Sequence, residues 1–215
     1  MDKIMKNLPQ TMPVFPLESA VMFPNTYLPL NMFEPRYLKM IDYSMSQKNR
    51  LIGMIQPKKS TDKNKNVDLY NVGCAGRIIK FEETEDSRYL ITLKGVSRFN
   101  LLSDITNKDN FREAKVNWNE FIEDLNQEGS KDSFVSLKKV LKEFFKLKKM
   151  KVDMEIIEAC NDYNFVDQIT MICPLALEEK QLLLETKSIT KRNNLLKSII
   201  ESYSSEQNIS NTIKH

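Results

Sequence analysis

The sequence predicts an α+β chain in which short strands come first and helices follow. Three observations carry this. Prolines Pro9, Pro13, Pro16, Pro24 and Pro29 cut the apolar N-terminal stretch into pieces of strand length. Alternation at period two persists to about Trp118, as in Tyr89, Ile91 and Leu93. From Asn119 onward the apolar residues recur at helical spacing instead.

The elements follow in order. Val14, Phe15 and Leu17 begin one strand and Thr26 to Leu30 form another, each limited by its prolines. Pro35 suits a first helical position, and Tyr37, Leu38, Ile41 and Met45 recur behind it as one helix face. Leu51 to Ile55 reads as a buried strand, and the lysine-rich run Pro57 to Asp68 as a loop expected to move. Val72 to Phe81 and Arg88 to Leu93 predict an antiparallel pair joined by Glu82 to Ser87. Val96 to Leu102 and Phe111 to Trp118 supply the last strands. Six or more strands around one helix fit a partly closed barrel better than a flat sheet with long open edges.

In the second half, Phe134, Leu137, Leu141, Phe144 and Phe145 share one helix face. Ile156 to Cys160, Phe165 to Ile172, Leu177 to Leu184 and Leu195 to Tyr203 repeat the pattern, with Pro174 as a break. The expected organisation is a barrel subdomain over 11–118, a bundle of four or five helices packed against it over 119–205, and a frayed tail over 206–215.

Composition narrows the class. A chain of 215 residues with 41% hydrophobic and 28% charged residues buries a real core, and its net charge of +3 is too small to argue for nucleic acid. Apolar runs fall short of the roughly 18 to 20 residues of a membrane span, and no signal core follows the lysine-rich start, so a cytoplasmic protein is expected. Cys74, Cys160 and Cys173 are not closely spaced and read as reduced, buried thiols.

The stretch Met12 to Met40, with Pro13 to Leu17, Phe23-Pro24 and Pro29-Leu30 followed by a helix, resembles the start of the N-terminal domain of Lon proteases. The run Phe33-Glu34-Pro35-Arg36-Tyr37 is more similar to the stand-alone Lon-domain proteins of bacteria. Leu69 to Ile78 resembles the family's Val-Gly-x-x-x-x-Ile strand, and Leu93 to Phe99 its Gly-x-x-Arg-Phe/Val segment. Pro174 to Glu185 resembles its Glu-Lys-Gln-x-Leu-Leu-Glu helix. The resemblance spans about Pro13 to Ile200 and implies a PUA-like barrel followed by a helical bundle, serving substrate recognition. It also implies that the chain stops before the ATPase and peptidase of the full-length enzyme. Locally, Gly73 and Gly76 are expected to relax a curved strand, and Gly95 to mark a bulge or turn.

The residues themselves offer little for catalysis. Five glycines supply no Gly-x-x-x-x-Gly-Lys-Ser/Thr loop to wrap phosphates. The one histidine is the terminal His215, a poor place for a nucleophile's base. Ser60 and Ser97 lie near lysines, as any serine does in a lysine-rich chain. Glu82, Glu83, Glu85 and Asp86 lack the spacing of a calcium loop and read as a solvated turn. No enzyme activity, metal or cofactor is expected.

Two functions from different classes remain. The first, implied by the resemblance, is a non-catalytic module that binds client polypeptides or a partner protein. Its candidate site is an exposed patch of Met22, Phe23, Met32 and Phe33 with Glu34 and Arg36, in a methionine-rich half suited to adaptable contacts. Glu34 and Arg36 also have a structural reading, in which they cap and tether the first helix. The alternative is an RNA-binding protein that uses a PUA-like barrel and the helix 138–149. There Lys138, Lys139, Lys142, Lys146 and Lys149 form a basic stripe, which can equally be a solvated face.

Overall fold

A computed structural model describes residues 8–18, 20–59, 67–126, 134–159 and 164–212. The expected mobile loop is described only at its ends, and Ser60, Cys160 and His215 lie outside the described residues. The chain divides into two compact units, Met1–Gln127 and Glu128–His215.

The first unit is built on a six-stranded sheet. Its elements are β1 (Thr11–Pro16), β2 (Tyr27–Met32), α1 (Pro35–Ser46), β3 (Leu51–Ile55), β4 (Val72–Glu83), β5 (Tyr89–Thr106) and β6 (Arg112–Asn117), then a 3-10 segment, Asn119–Asn126. The order across the sheet is β2-β5-β4-β3-β1-β6, and β6 pairs again with β5. β1 and β3 run parallel, which requires the crossover that β2 and α1 provide.

Strand β5 explains the shape of the sheet. Along one edge it pairs with β4, from Tyr89 opposite Glu83 to Asn100 opposite Val72. Its other edge takes β2 at Tyr89 to Lys94 and β6 at Asn100 to Thr106. Pairing therefore returns to β5 through β4, β3, β1 and β6, while β2 stays outside the circuit as the free edge. The sheet is partly ring-like and not a full barrel.

The sequence expectation of separate strands at Arg88 to Leu93 and Val96 to Leu102 is corrected, because β5 runs unbroken for 18 residues. Gly95 does not end the strand; the register steps from Ala75 opposite Ser97 to Gly76 opposite Gly95, a bulge that leaves Val96 unpaired. A Cβ on Gly95 would stand 1.9 Å from the Phe23 carbonyl oxygen. At Gly73 the reason for glycine is also close approach, since a Cβ there would stand 2.6 Å from both the Met54 carbonyl oxygen and the Phe99 ring.

Met12, Val14, Leu51, Ile55, Phe99 and Trp118 belong to one buried core cluster. Trp118 donates its indole N–H to the Pro9 carbonyl at 2.9 Å. Helix α1 buries Met40, Ile41 and Ser44, and its Tyr37 meets Phe15 of β1 edge-on at 4.5 Å.

The second unit contains α2 (Val135–Leu147), α3 (Met154–Ala159), α4 (Phe165–Ile172), α5 (Leu177–Glu185) and α6 (Ile189–Thr212). Leu137, Leu141, Phe144 and Phe145 of α2 are buried, and Phe144 lies 5.7 Å from Tyr203 of α6. Arg192 and Asp167, both buried, form an ion pair at 2.7 Å that joins α6 to α4. Helix α6 carries helical backbone through 206–212, residues that the sequence reading assigns to a tail.

Candidate functional site

Three of the four apolar residues expected to form an exposed patch are core. Met22, Phe23 and Met32 are buried, which corrects the expectation, and only Phe33 stays out, at 63% exposure. The cause is local. The Thr26 hydroxyl donates to the Phe23 carbonyl at 2.7 Å and accepts from the Phe23 N–H at 3.3 Å, closing a turn that folds Phe23 inward. The Met22 sulfur lies in the space a Cβ on Gly76 would need. Met32, last in β2, shares with Tyr89 the sheet face opposite the one that Asn31 and Leu90 occupy.

Glu34 does not cap α1 with its side chain, a second correction. Its carbonyl accepts from the N–H groups of Tyr37 and Leu38, while its carboxylate accepts two bonds from Arg36, at 2.8 and 3.0 Å. The Arg36 guanidinium also lies 4.5 Å from the Tyr37 ring centre. Arg88 approaches the exposed Phe33 ring at 5.9 Å and pairs with Asp86. At the tip of the β4–β5 hairpin the Thr84 hydroxyl donates to Asp86, and this bond is the main reason the Asp86 carboxyl lies below the usual carboxylate range. The acidic run is thus partly spent on holding its own turn.

The basic stripe is shorter than its spacing suggests. Helix α2 ends at Leu147, so Lys149 is off it, with a left-handed φ of 53°. Lys138 donates to the Glu158 carbonyl at 2.8 Å and lies 5.3 Å from the Phe165 ring, and Lys142 faces the Glu158 carboxylate at 3.8 Å. Lys139 and Lys146 are exposed. The stripe therefore serves partly to tie α2 to α3.

A different surface has the shape of a binding site. Cross-strand partners share a sheet face, so the register of β2, β5 and β4 gives one face three successive rows: Asn31, Leu90 and Glu82; Pro29, Thr92 and Lys80; Tyr27, Lys94 and Arg77. A groove of about 340 Å³ runs over the first two rows, with Leu90 and Thr92 as its floor. Tyr27 is 56% exposed at the end of the third. The opposite face carries Phe81, in edge contact with Tyr89 at 4.9 Å. Burial and the nearby Asp42 carboxylate raise the Tyr89 hydroxyl above its usual pKa. Asn31 of this surface adjoins Met32 of the patch read from the sequence. The surface's only sequence signal is the alternation of β5, which leaves Leu90, Thr92 and Lys94 on one side.

These features place the chain among mixed α+β domains built on a partly ring-like sheet. It belongs to the family of the ATP-dependent protease La (LON) substrate-binding domain, whose model matches residues 11–202. It is 27% identical over 213 residues to a Lon protease of Buchnera aphidicola, covering 95% of this chain and 26% of that protein. It is 29% identical over 214 residues to Lon protease 1 of Hydrogenovibrio crunogenus, covering 94% of this chain and 25% of that one. The chain thus spans about a quarter of the length of these relatives, and the family model it matches is the substrate-binding domain, not the ATPase or peptidase. The fold is that of the N-terminal domain of the Mycobacterium avium complex Lon protease (TM-score 0.63, 13% identity, 89% of this chain and 98% of that one). It also matches a Lon N-terminal domain protein from Xanthomonas campestris (TM-score 0.60, 19% identity, 86% and 96%). No helix among the described residues is long and apolar enough to cross a membrane.

Proposed function

We propose that this protein is a non-catalytic recognition module that holds extended segments of client polypeptides on the β2–β5–β4 face. The groove over Leu90 and Thr92 carries this reading. Its largely apolar lining suits a side chain from an unfolded segment, and exposed Tyr27 beside it adds apolar area. Membership of a substrate-binding-domain family supports the same reading. Strand addition at the β2 edge fits less well, because Pro29, in the middle of that edge strand, has no N–H to give.

RNA binding is the second reading, on the exposed Lys139 and Lys146 and the PUA-like likeness. The partial use of Lys138 and Lys142 in contacts to α3 weakens it. Fluorescence anisotropy decides between the two, with a labelled, permanently unfolded protein and a labelled single-stranded RNA at low and high salt. Unfolded-protein binding that tolerates salt and is lost in Leu90→Asp supports the module. RNA binding that falls steeply with salt and weakens in Lys139→Glu/Lys146→Glu overturns it.

A further inference from the structure

We infer that the face which holds the groove selects clients carrying a carboxylate two or four residues from an apolar anchor. The inference rests on the reading of that face as a client site and adds what the face prefers. Arg77 of β4 stands directly opposite Lys94 of β5, and the next row along contributes Lys80. All three are exposed, and none forms an ion pair among the described residues. Like charges directly opposite each other in an antiparallel pair destabilise the sheet. The free protein carries this repulsion unrelieved, on the one sheet face that also bears the groove. A bound carboxylate would relieve it.

The spacing sets the register. Residues two apart on a strand lie roughly 7 Å apart on the same face. Lys80 is one such row from Leu90, and Arg77 and Lys94 are two rows from it. An extended segment lying along β5 repeats with the same period. With an apolar side chain over Leu90, its second residue on that side reaches Lys80, and its third lies between Arg77 and Lys94. Glu82 at the far end, in the row of Leu90, repels a carboxylate placed there and so fixes which end of the groove takes charge.

A polypeptide fits this face better than a nucleic acid does. Tyr27 is the one aromatic side chain in the three rows, so no succession of rings is available for stacked bases. The groove is largely apolar and sets Glu82 against Lys80 on its lining, so it offers no uniformly positive track for a phosphate backbone.

The test uses the full chain and labelled peptides of about ten residues. Each has one leucine anchor and, two and four residues on, either aspartate, asparagine or lysine. The aspartate peptide is expected to bind about 3- to 10-fold more tightly than the asparagine one, with the advantage shrinking at high salt, and the lysine peptide more weakly than both. In Arg77→Gln/Lys94→Gln the aspartate advantage shrinks to the part that Lys80 supplies, while asparagine-peptide affinity is kept and circular dichroism confirms the fold. Binding of all three peptides with equal affinity overturns the charge preference and leaves the client site standing. Failure of every peptide, with binding of the unfolded protein insensitive to Leu90→Asp, overturns the site itself. Salt-sensitive binding of single-stranded RNA that is lost in the double variant overturns both.

Discussion

Arg98 on β5 and Asp124 in the 3-10 segment form a buried, two-pronged ion pair. The Arg98 Nε and Nη2 donate to the two carboxylate oxygens at 2.9 and 2.7 Å, and its backbone N–H donates to the same group at 2.9 Å. The guanidinium also lies 4.5 Å from the Phe121 ring centre. This network fastens the segment after the last strand to the sheet. The sequence reading assigns Asn119 onward to the helical half, whereas the 3-10 segment packs on β5 within the first compact unit.

Removing one partner strands the other charge in the core. Asp124→Ala is expected to cost about 3–5 kcal/mol, read as a lower urea midpoint. Replacing both partners, Arg98→Met with Asp124→Leu, is expected to cost clearly less, because no buried charge is left uncompensated. A double variant as unstable as the single one would show that the pair acts through its geometry and not through desolvation.

Gly95 gives a second stability prediction. The Phe23 carbonyl occupies the space of its missing side chain, the Gly95 N–H donates to the Thr26 carbonyl, and the Asn25 N–H donates to the Gly95 carbonyl, each bond 2.9 or 3.0 Å long. Gly95→Ala must therefore push the 23–26 turn off the sheet, at an expected cost of about 2–4 kcal/mol by denaturant titration. A change below about 0.5 kcal/mol would mean that the turn yields freely.

That turn also shows where reading the sequence stops. Strand positions, the Pro35 start of α1 and the apolar face of α2 were legible because each depends on spacing within one element. The burial of Phe23 depends on a contact with Gly95 and that of Met22 on one with Gly76, both far away in the chain, which no local pattern carries. The charged rows of the β2–β5–β4 face were hidden for the same reason. Arg77 faces Lys94 only because the register of β4 against β5 shifts at Ala75/Gly76, and Lys80 joins the face only because it shifts again between Ile78 and Lys80. Lysine at the end of α2 misled differently, since a helix terminus is usually marked by glycine.

Lys149 makes that terminus testable. Its N–H donates to the Lys146 carbonyl and the Met150 N–H to the Phe145 carbonyl, the paired bonds of a Schellman ending, with Lys149 itself at φ 53°. A lysine there bears a steric cost that glycine does not. Lys149→Gly is expected to stabilise the chain by about 1 kcal/mol, raising the thermal midpoint, while Lys149→Ala gives no gain. Equal effects of the two would place the benefit in the removal of charge.

Cys173 supplies a prediction in pH. Burial pushes its thiol up from an ordinary 9.0 to about 12, and the neighbouring Lys180 ammonium only partly opposes this. Burial likewise lowers Lys180. In the folded chain the thiol stays protonated and unreactive, so alkylation by iodoacetamide at pH 8, followed by peptide mass spectrometry, is expected to be about two to three orders of magnitude slower than in urea. The sign for stability follows from proton counting. Between pH 9 and pH 12 the unfolded chain has lost the thiol proton that the folded chain keeps. Stability therefore falls as pH rises through this window, by at most about 1.4 kcal/mol per pH unit. Lys180 acts in the opposite sense, because the unfolded chain holds its ammonium proton to higher pH than the folded one does. Cys173→Ser removes the thiol's part of this dependence and is expected to flatten the alkaline decline. Native labelling as fast as labelling in urea would place the thiol in contact with solvent and remove the basis for both effects.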